Sequence, residues 1–432
     1  MRFSSLSQWL AWQEHLHFRD IDPGLQRVAE VWQRLRGGSQ LPCKVITVAG
    51  TNGKGSSVAI TAAILQAAGY KTGTYTSPHL LRYNERICID SIPASDAAIC
   101  EAFQRIDEAR QDISLTYFEF ATLAAVDIFC RQQVDVAVLE VGMGGRLDAV
   151  NLFDTDIALI TPIGLDHMMW LGKDRETIGR EKAGIIRRHK PLVCSEATPP
   201  KTVLDYADSL SVPSYLRGRD FFYQDKQSNW DWHNAEISLE QLPLPVLKGQ
   251  YQLQNSAAVI QVCQLLNQQG MKITEQAIRK GLKTIRLSGR FQLIPGPVTR
   301  IMDVTHNQQG AENLCQVLRE TDIEGKTYAV LAMLKDKDGR AVAEALKPVI
   351  DGWFLAGLDG DRGMSAVELG GQIIPVLGED KVKCFETVKQ AYDEAMEKAV
   401  EGDRVLIFGS FHTVEAAMLL LPECQAAVSQ TD

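Results

Sequence analysis

The chain has 432 residues, 45% of them hydrophobic and 23% charged, a length and balance that suit two or three soluble globular domains. Its formal net charge of −9 argues against a nucleic-acid or anionic-membrane partner, because both demand a basic surface. The nine cysteines, at 43, 88, 100, 130, 194, 263, 315, 384 and 424, form no CxxC pair and lie mostly in apolar runs, the pattern of reduced thiols in a cytoplasmic protein. The N-terminal MRFSSLSQWLAWQEH has neither a long apolar core nor a small-residue cleavage site, so no signal peptide is expected, and no apolar run is long enough to span a bilayer.

In chain order, residues 18–28 (FRDIDPGLQRV) read as a loop entering an amphipathic helix, with Asp22 capping and Pro23 at the first helical position. Residues 44–50 (KVITVAG) are an apolar, β-branched strand. Residues 56–69 carry helical periodicity and stop at Gly69. A second short strand is expected within YKTGTYTSPH, then a largely buried helix over 116–133 and apolar strands over 134–142 and 156–164. Alternation of this kind implies a mostly parallel sheet covered by helices.

Residues 191–250, rich in Pro, Gly and aromatics, predict a few short strands and loops, followed by helices near 252–269 and 274–284. Gly and Pro then punctuate 286–300 like a linker. Beyond it RIMDV, TYAVLAML, GWFLAGL, KVKCFE and RVLIFGS read as strands of a second, smaller α/β domain. The expected division is a larger α/β domain over 1–288, a linker over 289–298 and a Rossmann-like α/β domain over 299–432.

The most informative string is Gly50-Thr51-Asn52-Gly53-Lys54-Gly55-Ser56, set between a predicted strand and a predicted helix. Glycines let successive N–H groups face an anion, and the helix N-terminus adds partial positive charge. Lys54 can reach β- and γ-phosphates and Ser56 can meet phosphate or magnesium. Gly55, between Lys54 and Ser56, departs from the strict Walker pattern. Glu140 ends the apolar strand VDVAVLE, where α/β sheets bind ligands, and a carboxylate there can hold magnesium beside a triphosphate. Arg290, in the expected linker, is either a phosphate contact or a solvated charge. From the residues alone, Lys182 reads as a surface lysine on a helix, Asn255 as a polar cap opening a helix, and Phe118 and Phe120 as core.

VAGTNGKGS resembles the phosphate loop of the Mur ligase superfamily. Ser77-Pro78-His79, LTYFEF (115–120), LEVGMGGRLDAVN (139–151), GLDHMMWLG (164–172), GREKAGI (179–185), SGRFQ (288–292), DVTHN (303–307) and GSFHT (409–413) follow in the same order. Together they resemble the folate branch, the bifunctional dihydrofolate synthase/folylpolyglutamate synthase family, over almost the whole chain. Thr305, Gln308, Met168 and Met169 are departures from the usual pattern.

The resemblance implies a P-loop-type central ATPase domain, a C-terminal Rossmann-like domain and an active site between them, with residues 286–298 as hinge. It implies an ADP-forming ligase that phosphorylates a carboxylate and passes the acyl group to L-glutamate, with dihydropteroate and reduced folates as acids. It assigns Ser77, Glu140 and His167 to magnesium. A histidine ligand suggests a second, partly hydrated ion. Lys182 matches a lysine that CO₂ carbamylates; Asn255, Arg290 and Asp303 match nucleotide contacts; His306 falls near the reaction centre and His412 near the amino-acid pocket. Asp22, Pro23, Gly24 and Leu25 match a dihydropteroate segment, and Phe118, Glu119, Phe120, Asp148 and Asn151 match the pterin pocket. A monomer without nucleic-acid or membrane partners is expected. The alternatives are a monofunctional folylpolyglutamate synthase, a cell-wall Mur ligase, for which the forty-three residues before the phosphate-loop strand are too few to form the extra domain, and a P-loop nucleotide switch.

Overall fold

The structure, a computed structural model, describes residues 2–38 and 40–421; Cys424 lies outside them. The chain divides into two compact units, Met1–Val246 with Gln252–Arg286, and Leu247–Tyr251 with Leu287–Asp432.

The first unit is built on an eight-stranded sheet made of β1 (Lys44–Ala49), β2 (Thr72–Tyr75), β3 (Ile87–Ile89), β4 (Ile92–Pro93), β5 (Val136–Glu140), β6 (Ile157–Ile160), β7 (Leu192–Cys194) and β8 (Ser214–Leu216). The order is β4-β3-β2-β5-β1-β6-β7-β8. Strands β2 and β5 to β8 run parallel to β1 or to one another, and β3 and β4 add an antiparallel edge. The central strands are apolar along their length because helices cover both faces. Helix Tyr117–Gln132 buries Phe120 and Phe129 fully and starts with a capping box between Thr116 and Glu119. Trp9, Phe103 and Phe120 meet in one aromatic cluster, with ring centroids 5.3–6.4 Å apart.

Residues 191–250 hold more regular structure than their composition suggests. They include a helix, Lys201–Ser209, absent from the sequence reading, and a three-stranded antiparallel sheet of β9 (Phe221–Asp225), β10 (Asn229–Asn234) and β11 (Ser238–Pro243). Trp230 and Trp232 of β10 are fully buried, and each indole N–H donates to a carbonyl, of Pro243 and Ala257 respectively.

The second unit is a six-stranded sheet of β12 (Gln292–Ile294), β13 (Thr299–Asp303), β14 (Thr327–Leu331), β15 (Gly352–Ala356), β16 (Val382–Phe385) and β17 (Arg404–Phe408), in the order β12-β13-β17-β14-β15-β16. All neighbours are parallel except β12, which pairs antiparallel with β13. That corrects the linker reading of 289–298: the stretch supplies an edge strand of this sheet, the position where flanking Pro and Gly are tolerated. No helix among the described residues is long and apolar enough to cross a membrane.

Candidate active site

In the first unit four loops leave the same edge of the sheet. Register places Glu140 of β5 opposite Val48 of β1, Ala49 opposite Ile160 of β6, and Tyr75 of β2 opposite Leu139. The phosphate loop after β1, the Ser77 turn after β2, the Glu140 end of β5 and the 161–167 loop after β6 therefore emerge side by side, at the carboxyl ends where α/β sheets bind ligands.

The phosphate loop is held from below. The amides of Thr51 and Asn52 donate to the Pro162 carbonyl at 2.9 and 3.4 Å, and the Thr51 hydroxyl donates to Gly164 at 3.1 Å. Gly50 has φ +150, and a Cβ there would sit 1.7 Å from Thr161 Oγ1. Gly53 has φ +90, and its Cβ would sit 2.6 Å from Asn255 Oδ1. Both positions need glycine. Helix Lys54–Ala67 begins immediately after, so the amides of Lys54, Gly55 and Ser56 have no acceptor within their own helix and form an anion-binding end. Lys54 Nζ donates to the Thr51 carbonyl at 3.1 Å, and the Ser56 hydroxyl accepts from Gln252 at 3.2 Å.

Asn255 does not open its helix. That helix runs Gln250–Gln268, and Asn255 lies in its second turn, buried against Gly53 with its amide donating to Gln252 at 3.1 Å. It belongs to the floor of the phosphate loop, which the capping interpretation missed.

Glu140 is buried, and Ser77 N–H donates to its carboxylate at 3.3 Å, so the expected hydroxyl and carboxylate ligands share one corner. His167 adopts the left-handed conformation, φ 49, and its amide donates to the Asp166 carboxylate at 2.8 Å. Among the described residues no three His, Cys, Asp or Glu side chains form a metal-binding group. Hydroxyl, carboxylate and imidazole are donor types that magnesium accepts, and of the three expected ligands Ser77 and Glu140 meet directly, through the Ser77 amide. Met169 beside them is 90% exposed.

Lys182 is where the plain reading fails. It is buried, 4% exposed, with Nζ donating to the Gly50 carbonyl at 2.6 Å. Burial, aided by the nearby Lys54 ammonium, lowers its pKa to about 7, against the opposing pull of Asp166 and Asp148. Asp148 is pushed up to about 6 by its own burial, although the amides of Met143 and Val150 donate to it at 2.9 and 3.0 Å.

The expected ring pocket sorts into two groups. Phe118 is half-buried, tilted on Tyr75 at 5.8 Å and packed where a Gly142 Cβ would otherwise stand, so it lies beside Asp148. Phe120 is 0% exposed inside the aromatic core and is corrected to a packing residue. Asn151 is also corrected: its amide donates to Arg146 and Gly184 carbonyls at 3.1 and 3.0 Å and accepts from Arg187 at 2.9 Å, which saturates it as a loop staple. Asp22 caps nothing, because the following helix starts at Gln26. Its carboxylate instead pairs with Arg27 and His17 at 2.5 and 3.2 Å. Pro23 is exposed, with Gly24 and Leu25 half-buried after it. Glu119 accepts the Thr116 amide at 2.8 Å and Arg27 at 3.1 Å. The capping-box spacing of Thr116 and Glu119 was readable in sequence; the Arg27 contacts were not.

In the second unit Arg290, Asp303 and the GSFHT loop are drawn together. Asp303, at the end of β13, accepts the amides of Phe291 and Thr305, both at 2.8 Å, and stands opposite Phe408 of β17. The Arg290 guanidinium lies over the Phe411 ring, 5.3 Å from its centroid. His306 Nδ1 meets the Val304 carbonyl at 2.8 Å, and exposed His412 faces Glu415 at 3.4 Å. Phe411 went unremarked in the sequence reading.

Comparison with known proteins fits this arrangement. Residues 48–263 match the Mur ligase middle domain, and residues 289–411 match the Mur ligase glutamate ligase domain. The dihydrofolate synthase/folylpolyglutamate synthase of Escherichia coli (strain K12) is 43% identical over 415 residues, 96% of this chain and 95% of the relative. The solved structure of E. coli FolC in complex with DHPP and ADP superposes with a TM-score of 0.91 at 42% identity, covering 98% of this chain and 99% of that one. A bifunctional folylpolyglutamate synthase/dihydrofolate synthase with Mn, AMPPNP and L-glutamate bound gives a TM-score of 0.89 at 42% identity, covering 96% and 98%.

Proposed function

Because this chain belongs to the dihydrofolate synthase/folylpolyglutamate synthase family of Mur ligases, we propose that it joins L-glutamate to dihydropteroate and to the glutamyl tail of reduced folates, consuming ATP and releasing ADP and phosphate. The observation that supports this best is the meeting of the phosphate loop, Ser77, Glu140 and the Asp166–His167 turn at one sheet edge.

A carboxylate acylates poorly because its leaving group would be oxide. Transfer of the γ-phosphoryl group makes an acyl phosphate, whose leaving group is phosphate. Lys54 and the amides of Lys54, Gly55 and Ser56 hold the triphosphate and stabilise charge on the transferred group. The glutamate α-amine then attacks the acyl carbon, and inorganic phosphate departs carrying one former carboxylate oxygen. When bound, Mg²⁺ neutralises phosphate charge. Ser77, Glu140 and His167 would hold it, and the mixed donor set favours two ions.

Lys182 is proposed to carry a carbamate. The ammonium first gives up one proton, the neutral amine adds to CO₂ and a second proton leaves, so that a cation becomes an anion beside the phosphate loop. A pKa near 7 supports this, since only the neutral amine reacts. Asn255, Arg290 and Asp303 are assigned to nucleotide, His306 to the reaction centre and His412 to glutamate. Asp22, Pro23, Gly24, Leu25, Phe118, Glu119 and Asp148 are assigned to the dihydropteroate site. The eight described cysteines are all free thiols, consistent with work in the cytoplasm, and a monomer suffices for the proposed chemistry.

The test is isotopic. Dihydropteroate bearing heavy oxygen in its carboxylate should pass one labelled atom to inorganic phosphate during turnover. Unlabelled phosphate with labelled dihydrofolate would refute the acyl phosphate.

A further inference from the structure

The loop at 18–25 and the start of helix Tyr117–Gln132 are far apart in sequence, and Arg27 joins them. Its guanidinium donates to the Asp22 carbonyl at 2.6 Å, pairs with the Asp22 carboxylate at 2.5 Å and reaches Glu119 Oε1 at 3.1 Å. The other Glu119 oxygen is committed to the Thr116 amide, so the arginine is bound to the helix cap itself. His17 makes a second tie, with Nδ1 on Ser114 at 2.8 Å and Nε2 on Asp22 at 3.2 Å. The loop is thereby fixed on both sides of Thr116, two residues before Phe118.

We infer that Arg27 is a positioning residue for the acid-binding surface of this ligase, selective for the flat, tail-less acid dihydropteroate over polyglutamylated folates. The inference rests on the assignment of 22–25 and Phe118 to dihydropteroate. A tail-less acid must gain its affinity from ring contacts, which depend on the loop staying against the helix. An acid carrying a glutamyl tail has further carboxylates through which to bind. Arg27 suits this role because its planar fork spreads donors over separate nitrogens, with Nη1 on the Asp22 carboxylate and Nη2 on the Asp22 carbonyl and Glu119, a span that the single nitrogen of lysine lacks. The contacts are charge-assisted and shielded, with Arg27 27% and Glu119 5% exposed, so they set geometry more firmly than a surface pair would.

The experiment compares wild type, Arg27→Met and Arg27→Lys in full-length enzyme, measuring kcat and KM separately with dihydropteroate and with a triglutamylated reduced folate, alongside melting temperature. Arg27→Met should raise KM for dihydropteroate about tenfold or more, the scale of a lost charge-assisted hydrogen bond, with KM for the polyglutamate and for ATP changed less than about twofold. Arg27→Lys, which keeps charge but not the fork, should fall between, and it carries the test if the methionine variant does not fold. Equal loss with both acids, or an unchanged dihydropteroate KM, overturns the positioning role. If wild type itself releases no ADP with dihydropteroate, the dihydropteroate assignment has failed, which is a distinct result and removes the inference with it.

Discussion

Lys182 Nζ donates a 2.6 Å hydrogen bond to the carbonyl oxygen of Gly50, the first residue of the phosphate loop. A lysine that would be solvated on an ordinary helix is here the buried neighbour of the loop proposed to hold the triphosphate. Its pKa of about 7, against an ordinary 10.5, makes a neutral amine available in neutral solution. In isotopically labelled bicarbonate the enzyme should show one carbamate carbon by NMR, growing as pH rises through about 7 and absent from Lys182→Met. That variant should lose about 10- to 100-fold in turnover, the scale for a group supporting a metal site.

The same shift fixes a sign for stability. Between pH 7 and 10.5 the unfolded chain holds a proton on Lys182 that the folded chain lacks, so unfolding free energy rises with pH across that window. In buffer free of CO₂, chemical denaturation of wild type and Lys182→Met should diverge over this range, with the pH slope smaller in the variant.

Lys54→Ala removes the only side-chain cation of the phosphate loop while breaking one contact, to the Thr51 carbonyl. ADP release should fall by at least about a hundredfold with every acid, the cost of losing one preorganised charge-stabilising donor, and the melting temperature should hold. Full turnover in that variant would remove the phosphate-loop assignment.

Gly50→Ala places a Cβ 1.7 Å from Thr161 Oγ1 in a backbone conformation that side chains resist. The loop must shift, so ATP binding measured by calorimetry should be lost, with destabilisation of about 1–3 kcal/mol by denaturant titration.

Phe118 and Phe120 stand two residues apart on one helix, and their variants should separate function from packing. Phe120→Ala opens a hole in the aromatic core and should cost about 3–5 kcal/mol in stability. Phe118→Ala should chiefly raise KM for dihydropteroate, read from initial rates, since its ring is half-buried beside Asp148.

The main sheet was legible because β1, β5 and β6 are buried over nearly their whole length and are therefore written mostly in apolar residues, with charge only at an end, as at Lys44 and Glu140. The helix Lys201–Ser209 was not, because it is only nine residues long, follows Pro199-Pro200 and sits in a stretch punctuated by Pro, Gly and aromatics. The edge strand Gln292–Ile294 is masked by the prolines and glycine that follow it, which an edge accommodates. Within the site, residue types at strand ends were readable, as at Glu140, since position and chemistry are both local. Burial of Lys182 was not, because its helix, RETIGREKA, is polar and the partner of its ammonium group, Gly50, is distant in sequence. The roles of Asn151 and Asn255 likewise depend on partners that sequence spacing does not reveal.

The most direct test is the initial rate of ADP release with ATP, Mg²⁺ and dihydropteroate, measured with and without L-glutamate. The expected result is sustained turnover only with glutamate present, yielding one dihydrofolate per ADP. Sustained release of ADP at the same rate without the amino acid would show a nucleotide hydrolase and contradict a ligase.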